Sequence, residues 1–358
     1  MPTKALITLL MVTACVLGTG FLLSAENRFQ FDWLAGSVDP LLAPPSESSP
    51  PGSAPTSQGA GTGGPTPPGE DPVAFMLASV ADQYAQSIRY PTWSVPLTEA
   101  QARAYRGNHY EPVALPLGDG GQFAVTLEKY RFTRGEPLLV MASVQGPQIV
   151  GQSLKATLES TQTGNSVAST TLPQSDSNGY YQGQLSTDEA PGEYRLIVEA
   201  TVDGTPVRHA SSLTIEPDLG DFEGLGDPYL SDNNLVIPVK FAPEDAGFYA
   251  LSAQLYAGQR PLAQLQSEQR LDSTSDTLNL RAHGTVLANR DIQGELRLLH
   301  LQIRQLPARP GDRTHYGFGP EDGYSFTPPD LEALRDTPAV DVESEQRAAL
   351  LRQLADKF

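Results

Sequence analysis

From Gln122 onward, apolar side chains recur at every second position, and that period commits most of this chain to β-strands. Phe123, Val125 and Leu127 alternate with polar residues, as do Leu138, Val140, Ala142 and Val144. Leu154, Ala156 and Leu158 continue the pattern, and Tyr194, Leu196, Val198 and Ala200 repeat it. A strand turns such positions to one face, where they can be buried against a second sheet. Turn residues fall between the runs at Arg134-Gly135-Glu136-Pro137, Gly164-Asn165, Asn178-Gly179 and Asp203-Gly204. The 32 glycines and 31 prolines fit a turn-rich β fold better than a helical bundle. About seven short strands in this stretch make the pattern of an immunoglobulin-like sandwich.

A second alternating series follows. Leu235, Ile237, Val239 and Phe241 form one run, in which Pro238 points to an edge strand, and Tyr249, Leu251, Ala253 and Leu255 form the next. Further strands are expected at Pro261–Gln266, Thr277–Ala282 and Glu295–Arg304. This predicts a second sandwich, whose strand order the sequence leaves open.

The stretch Ala190-Pro191-Gly192-Glu193-Tyr194-Arg195-Leu196 resembles the penultimate strand of many bacterial immunoglobulin-like domains. There a Pro-Gly-x-Tyr entry leads into an alternating strand, and the likeness implies a tyrosine corner, the phenol bonding back to the backbone. Glu244-Asp245-Ala246-Gly247-Phe248-Tyr249 carries a related Asp-x-Gly-x-Tyr pattern. With a helical segment ahead of them, the two series resemble uncharacterised bacterial exported proteins that have tandem immunoglobulin-like domains. The resemblance is one of fold, and such a fold hosts many functions.

Ala5–Ala25 is an uncharged apolar run behind Lys4, and as a helix it would be roughly 31 Å long, enough to cross a bilayer core. Three readings stand: an uncleaved signal anchor, a lipoprotein signal in which Val12-Thr13-Ala14-Cys15 serves as lipobox and Cys15 is lipidated, and a cleaved signal. Run length and the bulky Leu23 favour the anchor. Phe29, Phe31 and Trp33 follow as interfacial aromatics, and Pro44–Gly69, nearly all Pro, Gly, Ser, Thr and Ala, is expected to be a disordered tether.

Asp71-Pro72 is a helix start, followed by Val73, Leu77, Val80, Tyr84 and Ile88 on one face. A second short helix is expected at Glu99–Arg106, with a Thr98/Gln101 capping box and Gly107 at its end. The tail is polar through Pro307–Gly323, then carries a short helix capped by Thr327 and stapled by Phe326 and Leu331. A last helix from Glu343 to about Lys357, with Val342, Ala349, Leu350 and Leu354 on one face, either docks on the second sandwich, the favoured reading, or offers itself to a partner. The expected order is therefore a membrane anchor at 1–25, a linker at 26–70, a helical collar at 71–120, sandwiches at 121–216 and 217–308, and a tail at 309–358 with one or two helices.

A formal charge of −18 argues against nucleic acid as partner. Cys15 is the sole cysteine, so the sandwiches hold no disulfide and no thiolate metal site. Asp218, Asp221, Glu223 and Asp227, at the junction between sandwiches, are the candidate ligands for a Ca²⁺ ion, though their spacing matches no calcium loop. The histidines 109, 209, 283, 300 and 315 show no zinc-helix spacing, and no nucleophile elbow, phosphate loop or dinucleotide fingerprint occurs. The expectation is a non-catalytic protein without cofactor, anchored in a bacterial inner membrane. It would contact envelope proteins through its periplasmic sandwiches. The rival is a carbohydrate- or cell-wall-binding module that stacks sugars on Tyr90, Trp93, Tyr105 and Tyr110.

Overall fold

The computed structural model describes residues 72–146, 150–175, 179–272, 277–339 and 341–357. The apolar run at 5–25, Cys15 and the linker lie outside the described residues, as does the helix-start residue Asp71. No helix among the described residues is long and apolar enough to cross a membrane.

The chain is mainly β. It opens with helix α1 (Pro72–Ser87), strand β1 (Ser94–Pro96) and helix α2 (Glu99–Ala104). Thr98 and Gln101 form the expected reciprocal capping box on α2, the Gln101 N–H donating to Thr98 Oγ1 at 3.2 Å. The helix ends at Ala104 with Tyr105 as its cap, two residues short of the expected Arg106, because Tyr105 is already extended.

The first layered unit consists of β2 (Ala114–Pro116), β3 (Gln122–Leu127), β4 (Arg131–Thr133), β5 (Leu138–Gln145), β6 (Ser153–Ser160), β7 (Ser166–Pro173), β8 (Tyr180–Leu185), β9 (Gly192–Val202) and β10 (Thr205–Glu216). One sheet runs β2-β3-β5-β8 and the other β4-β10-β9-β6-β7, with β4 parallel to β10 and the other pairs antiparallel. The alternating residues meet between them: Phe123, Val125, Phe132, Leu138, Val140, Leu154, Leu158, Leu196 and Val198 share one core. Each large aliphatic side chain buried there stabilises the fold by about 1.5–3 kcal/mol.

The second unit consists of β11 (Gly220–Leu225), β12 (Tyr229–Ser231), β13 (Asn234–Pro243), β14 (Gly247–Ala257), β15 (Arg260–Leu271), β16 (Thr277–His283), the one-turn helix α3 (Gly284–Leu287), β17 (Leu296–Gln305), β18 (His315–Phe318) and β19 (Tyr324–Phe326). Its sheets run β11-β13-β16, with β12 continuing along β13 beyond β11, and β1-β15-β14-β17-β18, with β19 also on β17. A separate core gathers Leu235, Ile237, Phe241, Tyr249, Leu251, Leu255, Leu278, Leu280, Leu298 and Ile303. Its strand succession repeats that of the first: β15-β14-β17-β18 matches β7-β6-β9-β10, and β11-β13-β16 matches β3-β5-β8.

Three placements differ from the sequence reading. Pro238 lies in β13, a central strand, not an edge one. Its carbonyl accepts from Gly226, in the gap where β11 has ended and β12 has not begun, so the missing N–H faces that gap and no ladder bond is lost. The polar stretch after Pro307 supplies β18, which completes the second sheet beside β17. The short turn at Leu331–Ala333 is capped by Asp330, whose carboxylate accepts from the Glu332 N–H at 3.0 Å, and not by Thr327.

The last helix, α4 (Val342–Ala355), packs on α1 and not on the second sandwich. Its buried residue is Ala348, and Ala81 is buried on α1, while Val342, Leu350 and Leu354 are exposed.

Candidate functional site

Titratable and aromatic groups concentrate where the collar, the first sandwich and the second sandwich meet. Glu216 ends β10, and its side chain is 4% exposed. One carboxylate oxygen is paired with the Arg131 guanidinium from β4, and the other accepts from His315 Nδ1 of β18 at 3.2 Å. Arg131 and Glu216 come together because β4 and β10 run in parallel, pairing Arg131 with Thr214 and Thr133 with Glu216. The same guanidinium lies 4.3 Å from the Tyr316 ring centre and 5.3 Å from that of Tyr130. At the rim, Arg313 pairs with Glu193 at 2.5 Å, a second link from tail to first sandwich. Arg131, Glu216, Arg313, His315 and Tyr316 line a cleft of about 230 Å³.

The collar supplies the other wall. Asn108 acts as a clamp on β4, its amide donating to the Arg131 carbonyl at 2.8 Å and its oxygen accepting from the Arg131 N–H at 2.9 Å. Tyr105 stacks on His300 with ring centres 4.7 Å apart. His300 holds a left-handed backbone, φ +55°, at an extra residue in β17 where the pairing with β14 slips. Burial pushes the Tyr105 phenol up to about 12, with Tyr130 adding to the shift. Burial lowers the His300 imidazole, and nearby His109 lowers it further.

A hydrogen-bond chain stitches the rest of the collar to β10. Tyr110 Oη donates to Ser211 Oγ at 2.6 Å, Ser211 meets His209 Nδ1 at 3.3 Å, and His209 Nε2 lies 2.6 Å from the Val113 carbonyl. A carbonyl only accepts, so Nε2 carries the proton and Nδ1 takes the Ser211 hydroxyl. On the second sandwich, β1 pairs with β15, and buried Ser94 accepts the His283 N–H at 3.0 Å. The His283 ring, lowered by burial against the opposing pull of Asp336, accepts the Thr285 N–H as a helix cap.

The four collar aromatics therefore do not form a row of sugar platforms. Tyr90 packs on the second core, Tyr105 on His300 and Tyr110 on the first core. Trp93, 39% exposed, aims its N–H at Asn234 Oδ1 at 3.5 Å. Apolar rings next to two sandwiches gain more by covering them than by staying in water.

Nor does the structure gather Asp218, Asp221, Glu223 and Asp227. All four are exposed, and Asp218 caps the Gly220 N–H at 3.0 Å. Among the described residues, no three His, Cys, Asp or Glu side chains are grouped so that they could hold a metal ion. A larger open hollow of about 650 Å³ lies between the turn at 287–294 and the tail at 327–335. Its polar groups serve local turns: Asp330 caps Glu332, and Arg335 donates to the Glu332 and Leu334 carbonyls.

Sequence reasoning did not single out Arg131, Glu216, His315 or Asn108. The available signal was slight: a carboxylate at the end of an alternating run, immediately before Pro217.

No protein-family model matches this chain, and no curated protein does. Among solved structures it is similar to a DUF4785 family protein of Legionella pneumophila, at 16% identity and a TM-score of 0.40 over 52% of this chain and 53% of that one. It is also similar to trypsin-activated alpha-2-macroglobulin of Escherichia coli, at 13% identity and a TM-score of 0.23 over 59% of this chain. Methylamine-reacted alpha-2-macroglobulin of Salmonella gives 13% identity and a TM-score of 0.31 over 62%. The chain spans about half the length of the Legionella protein and about a sixth of the macroglobulins. Likenesses this slight carry nothing further across.

Proposed function

We propose that this chain is a non-catalytic contact protein of a bacterial envelope, in which two immunoglobulin-like sandwiches form one stiff body held off the inner membrane by a tether. The observation that carries this reading is the Glu216 junction. Both carboxylate oxygens are engaged, one by Arg131 of the same sandwich and one by His315, whose bond joins the first sandwich to β18 of the second. Groups that could have served chemistry are thus spent on fixing one sandwich against the other, as a presenting surface requires. The shared strand succession supports the immunoglobulin-like assignment, as does the tyrosine corner of β9 near the end of the first sandwich. The apolar run at 5–25 and the Pro44–Gly69 tether support attachment, since a spacer is useful only when something stays bound to the membrane.

The placement is tested by fractionating bacteria that express the full chain, with metabolic lipid labelling and a Cys15→Ser control. Integral-membrane behaviour without label, unchanged by Cys15→Ser, is the expected result. Label lost on Cys15→Ser would move the same architecture to a lipoprotein. Recovery in the cytosol would overturn the reading.

A further inference from the structure

We infer that the outer face of the sheet β2-β3-β5-β8 is a binding platform for an uncharged glycan chain. Strands turn alternate residues outward, and the two sheets of the first sandwich fill those positions differently. On the other sheet, opposite charges face one another across the strands. Lys155, Glu199 and Arg208 stand in one row, with Arg208 and Glu199 ion-paired at 2.6 Å, and Glu159 and Arg195 oppose each other in another. Such cross-strand pairs keep a sheet surface soluble and in register.

Among the described residues of β2-β3-β5-β8, none that faces outward carries a charge. Ala114, Ala124, Ser143 and Tyr180 form one row across the four strands. Thr126, Met141 and Gln182 form the next. Ala124, Thr126 and Ser143 are small and half-buried, so the middle of the face is low and open. Tyr180, 45% exposed, and Met141, 37% exposed, stand on it as diagonal neighbours. Exposed amides lie around them, from Gln182 and Gln184 on β8 and from Gln122 and Gln145 at one end of the face.

Three features select a neutral glycan. The first is charge: sugar hydroxyls need no ionic partner, and a face without carboxylates has none to strip of water, although the chain as a whole carries −18. The second is chemistry. A primary amide both donates and accepts, as a hydroxyl does, and the C–H face of a sugar ring can pack on Tyr180 while the phenol stays at the water edge. The third is size. With strands about 4.8 Å apart and alternate residues about 6.8 Å apart, the face covers roughly 400 Å². That is about half of the ~800 Å² that each partner gives to a stable protein interface, and it suits a short oligosaccharide. The platform is separate from the Glu216 junction and stands or falls without it.

The test is isothermal titration calorimetry on the full chain, held in a polyoxyethylene detergent that brings no sugar headgroup. Cellohexaose, maltohexaose and chitohexaose serve as separate probes, and saturable binding of at least one is expected. Tyr180→Ala removes the ring, and Gln182→Glu sets a carboxylate opposite Met141; each should weaken binding about tenfold. Lys155→Ala, on the other sheet of the same sandwich, should leave it unchanged. All three residues are exposed, so matching thermal unfolding of the variants shows that the fold survives. No saturable binding of any probe would overturn the inference, as would binding indifferent to the Tyr180 and Gln182 changes. So would polygalacturonate, a carboxylated chain, binding as tightly as the neutral probes.

Discussion

The hydroxyl of Tyr249 donates to the backbone carbonyl of Asp245, four residues back, at 2.7 Å. Tyr194 repeats the contact on Ala190 at 2.6 Å. In both strands a glycine stands two residues before the tyrosine, and a Cβ there would come within 3.7 Å (Gly192) or 3.6 Å (Gly247) of the ring. The two sandwiches thus use one device, a turn carbonyl and a phenol four residues on, at different corners: on β9 in the first and on β14, the counterpart of β6, in the second.

Removing either hydroxyl keeps the ring and loses the bond. Tyr194→Phe and Tyr249→Phe should each cost about 1 kcal/mol, read as a lower urea midpoint with unchanged slope. Tyr249 is fully buried, so Tyr249→Ala should cost about 3–5 kcal/mol. Equal losses for Phe and Ala would show that the bond, not the packing, holds the corner.

At the junction, Arg131→Ala leaves the Glu216 carboxylate buried with His315 as its remaining partner. Breaking such a pair from one side should cost about 3 kcal/mol or more at neutral pH. The paired change Arg131→Met/Glu216→Met removes both charges and should recover most of that loss in the same denaturant titration. A single change within 0.5 kcal/mol of wild type would mean that the pair is effectively solvated.

Burial holds the folded-state pKa values of histidines 283 and 300 below the ordinary imidazole range. Protons then bind the unfolded chain more readily, so this contribution is complete above about pH 6.5 and is lost progressively as pH falls below it. His300→Asn, which tolerates the left-handed backbone, should flatten part of that acid limb. Stability profiles that superimpose between pH 7 and 5 would contradict the assignment.

Tyr105 behaves oppositely. Its phenol is raised to about 12, so its contribution is present below pH 10 and is lost as pH rises from 10 toward 12. Tyr105→Phe should remove that alkaline step, seen by phenolate absorbance together with unfolding. A step that survives the change belongs to another tyrosine.

Much of the β architecture was legible because burial enforces a period of two: Phe123, Val125 and Leu127 could not be moved by one residue without emptying the core. Local devices were equally plain, such as the Thr98/Gln101 box and the Tyr194 corner. What the sequence did not reveal depends on partners far away in the chain. Pro238 reads as an edge residue until the gap between β11 and β12 is seen. β1 pairs with β15 from Ser94 to Leu265, and α4 finds α1 instead of the adjacent sandwich. Glu216 carries no local mark of its role, because Arg131 and His315 reach it only through folding.

The central claim is that a stiff pair of sandwiches, held at a membrane, serves protein contact. It is tested most directly by cross-linking bacterial membranes that contain the full chain and identifying what purifies with it, beside an Arg131→Ala variant with a loosened junction. The account predicts a reproducible envelope protein cross-linked to the sandwiches and recovered less with the variant. Repeated recovery of no envelope partner from the wild-type chain would contradict it.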